Sequence, residues 1–257
     1  MALQEKAVIE TKKVTYVYNP QFFRKGVTEQ ELEKYCDIAD YESGGKVIQV
    51  FMGRGRTYLV NDPEGRRVII RHYYRGGMMA KLLNDKFLSF SSTAERSVQE
   101  YDLLLRMRAM GLHVPTPILA RVTRSGLFIR NDIITKEITG ARNVGKILSE
   151  RPMTDAEILK MGEAIGTLFR AGIYHSDLNI NNLLLDGADN PWICDFDKCE
   201  MIKITPKRYN EMVSRLKRSI DKESEEHAGM MWTDKDFDKL VRAIEIVFKE
   251  KYGSFYS

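Results

Sequence analysis

His175-Ser176-Asp177-Leu178-Asn179-Ile180-Asn181-Asn182, followed by the apolar run Pro191-Trp192-Ile193-Cys194 and then Asp195-Phe196-Asp197, is the stretch on which the reading of this sequence turns. The first string follows a helical pattern and precedes Leu183 to Leu185, an apolar run of hairpin-strand length. A turn between Asp177 and Asn182 can point both side chains towards one cleft. An aspartate so placed can orient a hydroxyl and accept its proton, and an amide can supply a cation-binding oxygen. A hard dication bridging phosphates also needs carboxylate oxygens, which Asp195 offers beside Asn182. Turn formation by Asp177 and Asn182, or capping by Asp195, would account for each residue singly. It does not account for their shared order, spacing and strand context. Asp177 is therefore the candidate catalytic residue, with Asn182 and Asp195 as candidate metal ligands. His175 is expected to hold the loop by hydrogen bonds.

Working outward, the back half is mainly helical. Thr154 with Glu157 caps a helix running to about Arg170, with Ile158, Met161, Ile165 and Leu168 on its inner face. Leu183 to Leu185 and Trp192 to Cys194 flank an Asp-Gly turn and read as a small hairpin. Pro206 after Thr205 opens another helix, and Thr233 to Lys251 carries a closing amphipathic stripe of Phe237, Leu240, Val241 and Ile244.

The front half is richer in strands. Thr28 to Glu31 has capping-box spacing ahead of Leu32, Tyr35, Cys36 and Ala39. Val47 to Phe51, Thr57 to Val60 and Val68 to His72 are strand candidates joined by turns. A helix is expected from Ser92, capped reciprocally with Glu95 and stopped by Gly111. Pro115 and Pro117 enforce an extended exit into strands at Ile118 to Val122 and Leu127 to Ile134. Thr139-Gly140 reads as a break. The expectation is an α+β protein of two lobes. Residues 1–138 would form an antiparallel sheet lobe with a helix, and residues 139–257 a larger helical lobe.

Several front-half residues then gain candidate roles. Gly53-Arg54-Gly55-Arg56 occupies the first hairpin turn, where glycines allow close approach to phosphates and arginines add charge. Arg71 on the third strand is a candidate phosphate ligand, and Glu100 its candidate carboxylate partner, with Glu95 the alternative. Backbone groups at Glu137 and Ile138, between the halves, are candidates for an adenine edge. The run from Arg66 to Lys81 holds Arg66, Arg67, Arg71, Arg75 and Lys81 without an acid, interleaved with Tyr73, Tyr74, Met78 and Met79. A second basic run spans Lys203 to Lys222. Either is a solvated face or a surface for an anionic, partly apolar partner; a membrane glycolipid and RNA both suit that mixture.

Composition limits the field further. The chain has 257 residues, 43% hydrophobic and 30% charged, and is long enough to bury an ordinary core. Lys plus Arg number 40 against 36 for Asp plus Glu, a net +4 that permits acidic partners without demanding them. Cys36, Cys194 and Cys199 make no disulfide framework and lack zinc-site spacing, so a reducing compartment is expected. No run approaches the roughly 20 apolar residues of a spanning helix, and Met1 to Thr11 has no apolar core for a secretory signal.

These strings together resemble the eukaryotic-type protein kinase superfamily, and more closely its bacterial lipopolysaccharide kinase branch. The resemblance rests on Gly53-Arg54-Gly55-Arg56, Arg71-His72-Tyr73-Tyr74-Arg75-Gly76-Gly77, Tyr174 to Asn179, and Cys194-Asp195-Phe196-Asp197-Lys198. It implies a small mixed lobe over a larger helical lobe, with ATP and Mg²⁺ between them. It also implies transfer of the ATP γ-phosphoryl group to the 4-hydroxyl of 3-deoxy-D-manno-octulosonic acid (Kdo) on a Kdo-lipid A precursor. The expected setting is peripheral, at the cytoplasmic face of a Gram-negative inner membrane, with no nucleic acid and no obligate protein partner. In that frame Asp177 is the base, Asn182 and Asp195 hold the metal, and Arg71 meets the phosphates. Asp197 stands where the superfamily has glycine, Ser176 where it has arginine, and no A-P-E string follows. These departures favour a constitutively competent enzyme over a switched protein kinase. The competing readings are a kinase of another sugar or heptose, an atypical protein kinase, and a non-catalytic membrane adaptor.

Overall fold

The computed structural model describes residues 6–52, 56–73, 87–88, 95–126, 128–227 and 229–252. Gly53, Arg54, Gly55, the Arg75-Gly76-Gly77 stretch and the expected cap Ser92 lie outside them. The protein is α+β, and the chain divides into two compact units. One comprises Met1–Ala109 with Thr116–Glu137, the other Met110–Pro115 with Ile138–Ser257.

The first unit is built on one antiparallel sheet. Its strands are β1 (Ala7–Glu10), β2 (Val14–Tyr18), β3 (Val47–Met52), β4 (Arg56–Asn61), β5 (Arg67–His72), β6 (Phe87–Leu88), β7 (Pro117–Ser125) and β8 (Phe128–Lys136). They run in the order β1-β2-β7-β8-β5-β4-β3, with β6 also on β8. β3, β4 and β5 form the expected run of consecutive hairpins, with Leu59 opposite Ile69 and Tyr58 opposite Ile70. β1 and β2 are additions that sequence patterning did not find. Burial alternates along β1, with Ala7 and Ile9 half-buried and Val8 and Glu10 exposed, but Ala-Val-Ile-Glu does not alternate apolar with polar, so the strand leaves no period-two signal in the sequence.

Helix α1 (Glu29–Cys36) has the expected capping box, Thr28 and Glu31 exchanging bonds. It stops one turn early, because Asp37 takes an extended conformation and caps α2 (Ile38–Ser43). Ala39, expected on the inner face, is therefore exposed. Leu32 and Tyr35 from α1 and Tyr41 from α2 pack with Tyr16, Val60, Val68, Ile70, Ile118 and Ile134 of the sheet. Helix α3 (Arg96–Ala109) is anchored on the sheet by Ser97, whose Oγ lies 3.0 Å from Asn131 Oδ1. The expected Ser92 cap lies outside the described residues; the Glu95 carboxylate pairs with Arg124 at 2.6 Å.

In the second unit, β9 (Arg142–Asn143), β11 (Leu183–Leu185) and β12 (Pro191–Ile193) make a small antiparallel sheet, while β10 (Ile173–Tyr174) pairs β13 (Glu200–Met201). The helices are α4 (Val144–Glu150), α5 (Asp155–Arg170), α6 (Pro206–Glu226) and α7 (Asp234–Tyr252). α5 begins at the Thr154/Glu157 capping box, and α6 at Thr205 with Pro206 in its first turn. α5 and α7 touch at Gly162 and Gly166. A Cβ at Gly166 would stand 2.7 Å from Ile244 O, so the glycines set how closely the helices approach. Met110–Pro115 joins this unit through a bond from Ile193 N to His113 O at 3.2 Å and through His113 stacked on Trp192.

Candidate active site

The loop after β10 is held at both ends by long-range hydrogen bonds. His175 is fully buried, and its Nε2 lies 3.1 Å from Cys194 O. Its Nδ1 accepts from Asp177 N at 3.3 Å. One nitrogen must donate and the other accept, which assigns the neutral ring with its proton on Nε2. Burial is the largest influence on this imidazole and lowers its pKa below 6.5, against the opposing effects of the Cys194 carbonyl and of Asp195 and Asp177. His175 thus ties the backbone of Asp177 to that of the residue preceding Asp195.

Asn179 and Asn182 both converge on Asp177. Asn179 Nδ2 donates to Asp177 O at 3.0 Å and Asn182 Nδ2 at 2.9 Å. Because the Asn182 amide spends its NH₂ on that carbonyl, its Oδ1 faces away from it and remains available as an acceptor. Asn179 Oδ1 in turn caps the 3₁₀ turn Ile180–Asn182. Cys194 N donates to Asn182 O at 2.9 Å, so the loop and the segment carrying Asp195 are joined again at the metal-ligand candidate.

Helix α6 supplies the base for this loop. Met212 Sδ accepts from His175 N at 3.3 Å, Ser219 Oγ from Ile180 N at 3.0 Å, and Glu223 Oε1 from Asn181 Nδ2 at 2.6 Å. Sequence reading missed all three, since nothing local in α6 distinguishes Ser219 from any other helical serine.

Asp195 has φ +62 and Lys198 φ +60, both left-handed. Side chains with a Cβ avoid this region, although aspartate tolerates it better than most. Asp197 is not left-handed, so its replacement of the superfamily's glycine costs no backbone strain here. Phe196 is buried and its ring lies 4.9 Å from that of His175, which packs the turn against the loop.

In the first unit, β5 and α3 bring Arg71 and Glu100 together as an ion pair. Tyr73 completes the group: its hydroxyl donates to Glu100 Oε2 at 2.6 Å and lies 3.2 Å from Arg71 Nη2. Burial first, and then the Glu100 charge, push the Tyr73 phenol well above its usual range, so it is always a donor. Glu100 is buried and Arg71 about one-fifth exposed. Tyr73 stood in the sequence only as part of a basic and aromatic run; two residues beyond Arg71 on an extended chain, it shares that residue's side of the strand.

The remaining candidates divide. Arg56 opens β4 and is exposed. Glu137 N donates to Arg67 O at 3.3 Å and its carboxylate pairs with Arg67 at 2.6 Å. Ile138 O closes a turn by accepting from Ala141 N at 3.0 Å. The run from Arg66 is less available than its acid-free sequence suggested. Arg66 pairs with Asp62 and lies over the Phe22 ring, Arg67 is held by Glu137, and Arg71 by Glu100. In the second run, Lys217 pairs with Asp221 and Asp234, while Lys203, Lys207 and Arg218 are exposed.

Residues 41–244 match the model of the lipopolysaccharide kinase (Kdo/WaaP) family. The chain is 36% identical over 224 residues to the 3-deoxy-D-manno-octulosonic acid kinase of Vibrio parahaemolyticus, across 87% of this chain and 92% of that relative. It is 37% identical over 219 residues to the enzyme of the same name from Vibrio vulnificus, across 85% and 91%. With that of Photobacterium damsela subsp. piscicida it shares 32% over 241 residues, across 93% and 97%. With a family match over most of its length and relatives this similar from end to end, the chain belongs to the lipopolysaccharide kinase (Kdo/WaaP) family.

Proposed function

We propose that this protein transfers the γ-phosphoryl group of ATP to the 4-hydroxyl of Kdo on a Kdo-lipid A precursor. The observation that carries the reading is similarity along 87% of the chain to a relative named as a Kdo kinase. The bonded loop around Asp177 is consistent with it.

The reaction is a direct in-line displacement without a phosphoenzyme. The acceptor hydroxyl gives its proton to the Asp177 carboxylate as its oxygen bonds to the γ-phosphorus, and the bond to the β-phosphate oxygen breaks to release ADP. Asn179, Asn182 and His175 hold Asp177 still through its backbone, which supports positioning as the main source of acceleration. Arg71, braced by Glu100 and Tyr73, would grip the ATP phosphates. The Gly53-Arg54-Gly55-Arg56 turn would cover them, and the Glu137 carbonyl with the Ile138 N–H would meet the adenine edge.

Asn182 Oδ1 and the Asp195 carboxylate suit Mg²⁺. Among the described residues no three His, Cys, Asp or Glu side chains gather into a metal cage. A small protein donor set completed by phosphate oxygens and water is the usual habit of that ion. Bound there, Mg²⁺ would neutralise the charge developing on the phosphates.

Peripheral contact with the cytoplasmic face of the inner membrane follows from a lipid-borne acceptor. Among the described residues no helix is long and apolar enough to cross a bilayer. The exposed Lys203, Lys207 and Arg218 offer cations to an anionic glycolipid.

The test is mass spectrometry of micellar Kdo-lipid A precursor after incubation with Mg²⁺–ATP. One added phosphate, placed on Kdo by tandem fragmentation and absent with Asp177→Asn, is the expected result. The Asp177→Asn variant should lose about 10³-fold in turnover while keeping its ATP affinity. No product from folded, ATP-binding protein would overturn the Kdo assignment and favour another sugar or a protein acceptor. Failure to bind nucleotide would favour an adaptor.

A further inference from the structure

The turn that carries Asp195 is strained, and two side chains outside the catalytic set hold it. Asp195 and Lys198 are both left-handed, at φ +62 and +60, so Asp195-Phe196-Asp197-Lys198 is not a conformation this sequence adopts unaided. Ser176, immediately before Asp177, donates from Oγ to Asp197 O at 3.0 Å. Cys199 closes the turn by donating from its N–H to Phe196 O at 3.1 Å. Its thiol lies 3.8 Å from Asp197 O and 4.0 Å from Asp195 O, and its sulfur accepts from Ser176 N at 3.4 Å. Ser176 Oγ and Cys199 Sγ are themselves 3.9 Å apart. The carbonyls of Asp195, Phe196 and Asp197 thus all face donors from these two residues.

We infer that Ser176 and Cys199 are positioning residues that clamp the Asp195 turn onto the catalytic loop, holding the Asp195 carboxylate in a metal-binding conformation without any modification of the chain. Ser176 stands where the wider superfamily has the arginine that links this loop to a phosphorylated segment. Here the link is a neutral hydrogen bond of 3.0 Å. A thiol has one proton, so Cys199 serves its two carbonyls alternately while its sulfur accepts from the loop. That arrangement suits a clamp and needs no change of charge. The inference rests on the reading of Asp195 as a metal ligand.

The experiment measures ATP affinity by calorimetry with and without Mg²⁺, in the full chain and its variants. Ser176→Ala should reduce the Mg²⁺-dependent gain in affinity about fivefold, the worth of one neutral hydrogen bond. Cys199→Ala should reduce it about twofold to threefold, since contacts to sulfur are weaker. Ser176→Thr and Cys199→Ser, which keep a donor, should restore it. Affinity for ATP without Mg²⁺ should stay unchanged in all four, which general destabilisation would not allow. In the ligand-free Ser176→Ala/Cys199→Ala variant, amides 195–199 should exchange with solvent about tenfold faster. If that variant folds poorly, Ser176→Ala alone carries the test. Asp195→Ala is the reference and should abolish the Mg²⁺-dependent gain. If it does so while the alanine variants keep the full gain, the clamp is refuted. If Asp195→Ala leaves the gain intact, the metal-ligand reading fails and the inference falls with it.

Discussion

Replacing His175 with phenylalanine tests whether a buried imidazole joins the catalytic loop to the Asp195 segment. The substitution keeps a ring of similar size against Phe196, now 4.9 Å away, but removes the bonds to Cys194 O and from Asp177 N. Asp177 and Cys194 are themselves half-buried, so each bond counts at its ordinary net worth of about 0.5–1.5 kcal/mol and the variant should be about 1–3 kcal/mol less stable. For a chain of this size that corresponds to a fall in Tm of about 2–12 °C. The pH dependence is the sharper readout. Burial keeps the native ring neutral below the ordinary value of 6.5. As pH falls through that value, the unfolded chain binds a proton that the native protein does not. The contribution is therefore complete above 6.5 and declines on acidification, by up to about 1.4 kcal/mol per pH unit, until the native ring protonates. Protonation at Nδ1 would also break the bond from Asp177 N. Thermal melts between pH 8 and 5.5 should show wild type losing Tm below about 6.5, with His175→Phe flatter over that window. Parallel profiles would refute the neutral, proton-on-Nε2 assignment and the loop argument built on it.

Three further outcomes follow from the geometry. Glu100→Gln should raise the KM for ATP and cost about 3 kcal/mol, because Arg71 would keep a mostly buried charge without its counter-charge; unchanged KM and melting would remove the pair from nucleotide binding. Tyr73→Phe should cost about 1.5 kcal/mol through the lost bond to Glu100, with a smaller rise in KM than Glu100→Gln, and a larger kinetic effect would give Tyr73 a direct role. Gly166→Ala should lower Tm by about 2–8 °C. The added Cβ would meet Ile244 O at 2.7 Å and Val247 Cβ at 2.9 Å. Because one of these is a backbone atom, the overpacking falls at about 2–3 kcal/mol and outweighs the helix-propensity gain of about 1 kcal/mol; a stabilised variant would show that α5 and α7 can separate freely.

Sequence reading did best where the controlling interaction is local. Thr28/Glu31 and Thr154/Glu157 are capping boxes whose partners stand three residues apart, and both form. The hairpins from Val47 to His72 follow from strand runs separated by turn residues. Reading failed where a local pattern was weak or a distant partner competed. β1 is apolar at both Val8 and Ile9 although only Ile9 turns inward, Asp37 divides what looked like one helix, and Glu95 pairs with Arg124 of the following strand, β7. The acid-free run at Arg66 misled for the same reason: Glu100 and Glu137, which neutralise two of its arginines, are remote in sequence.

From the sequence alone came the order of the longer helices and the central strands, the α+β class, the family resemblance and the identity of Asp177, Asn182, Asp195, Arg71 and Glu100 as the residues to watch. These are carried by spacing and residue type within short windows. Only the tertiary structure decided what holds them: Tyr73 on Glu100, the Met212, Ser219 and Glu223 supports from α6, and the Ser176 and Cys199 contacts around a left-handed Asp195. The physical reason is that a hydrogen bond between segments 20 to 40 residues apart imposes no period on either one. Its donor and acceptor are ordinary groups until the fold brings them within bonding distance.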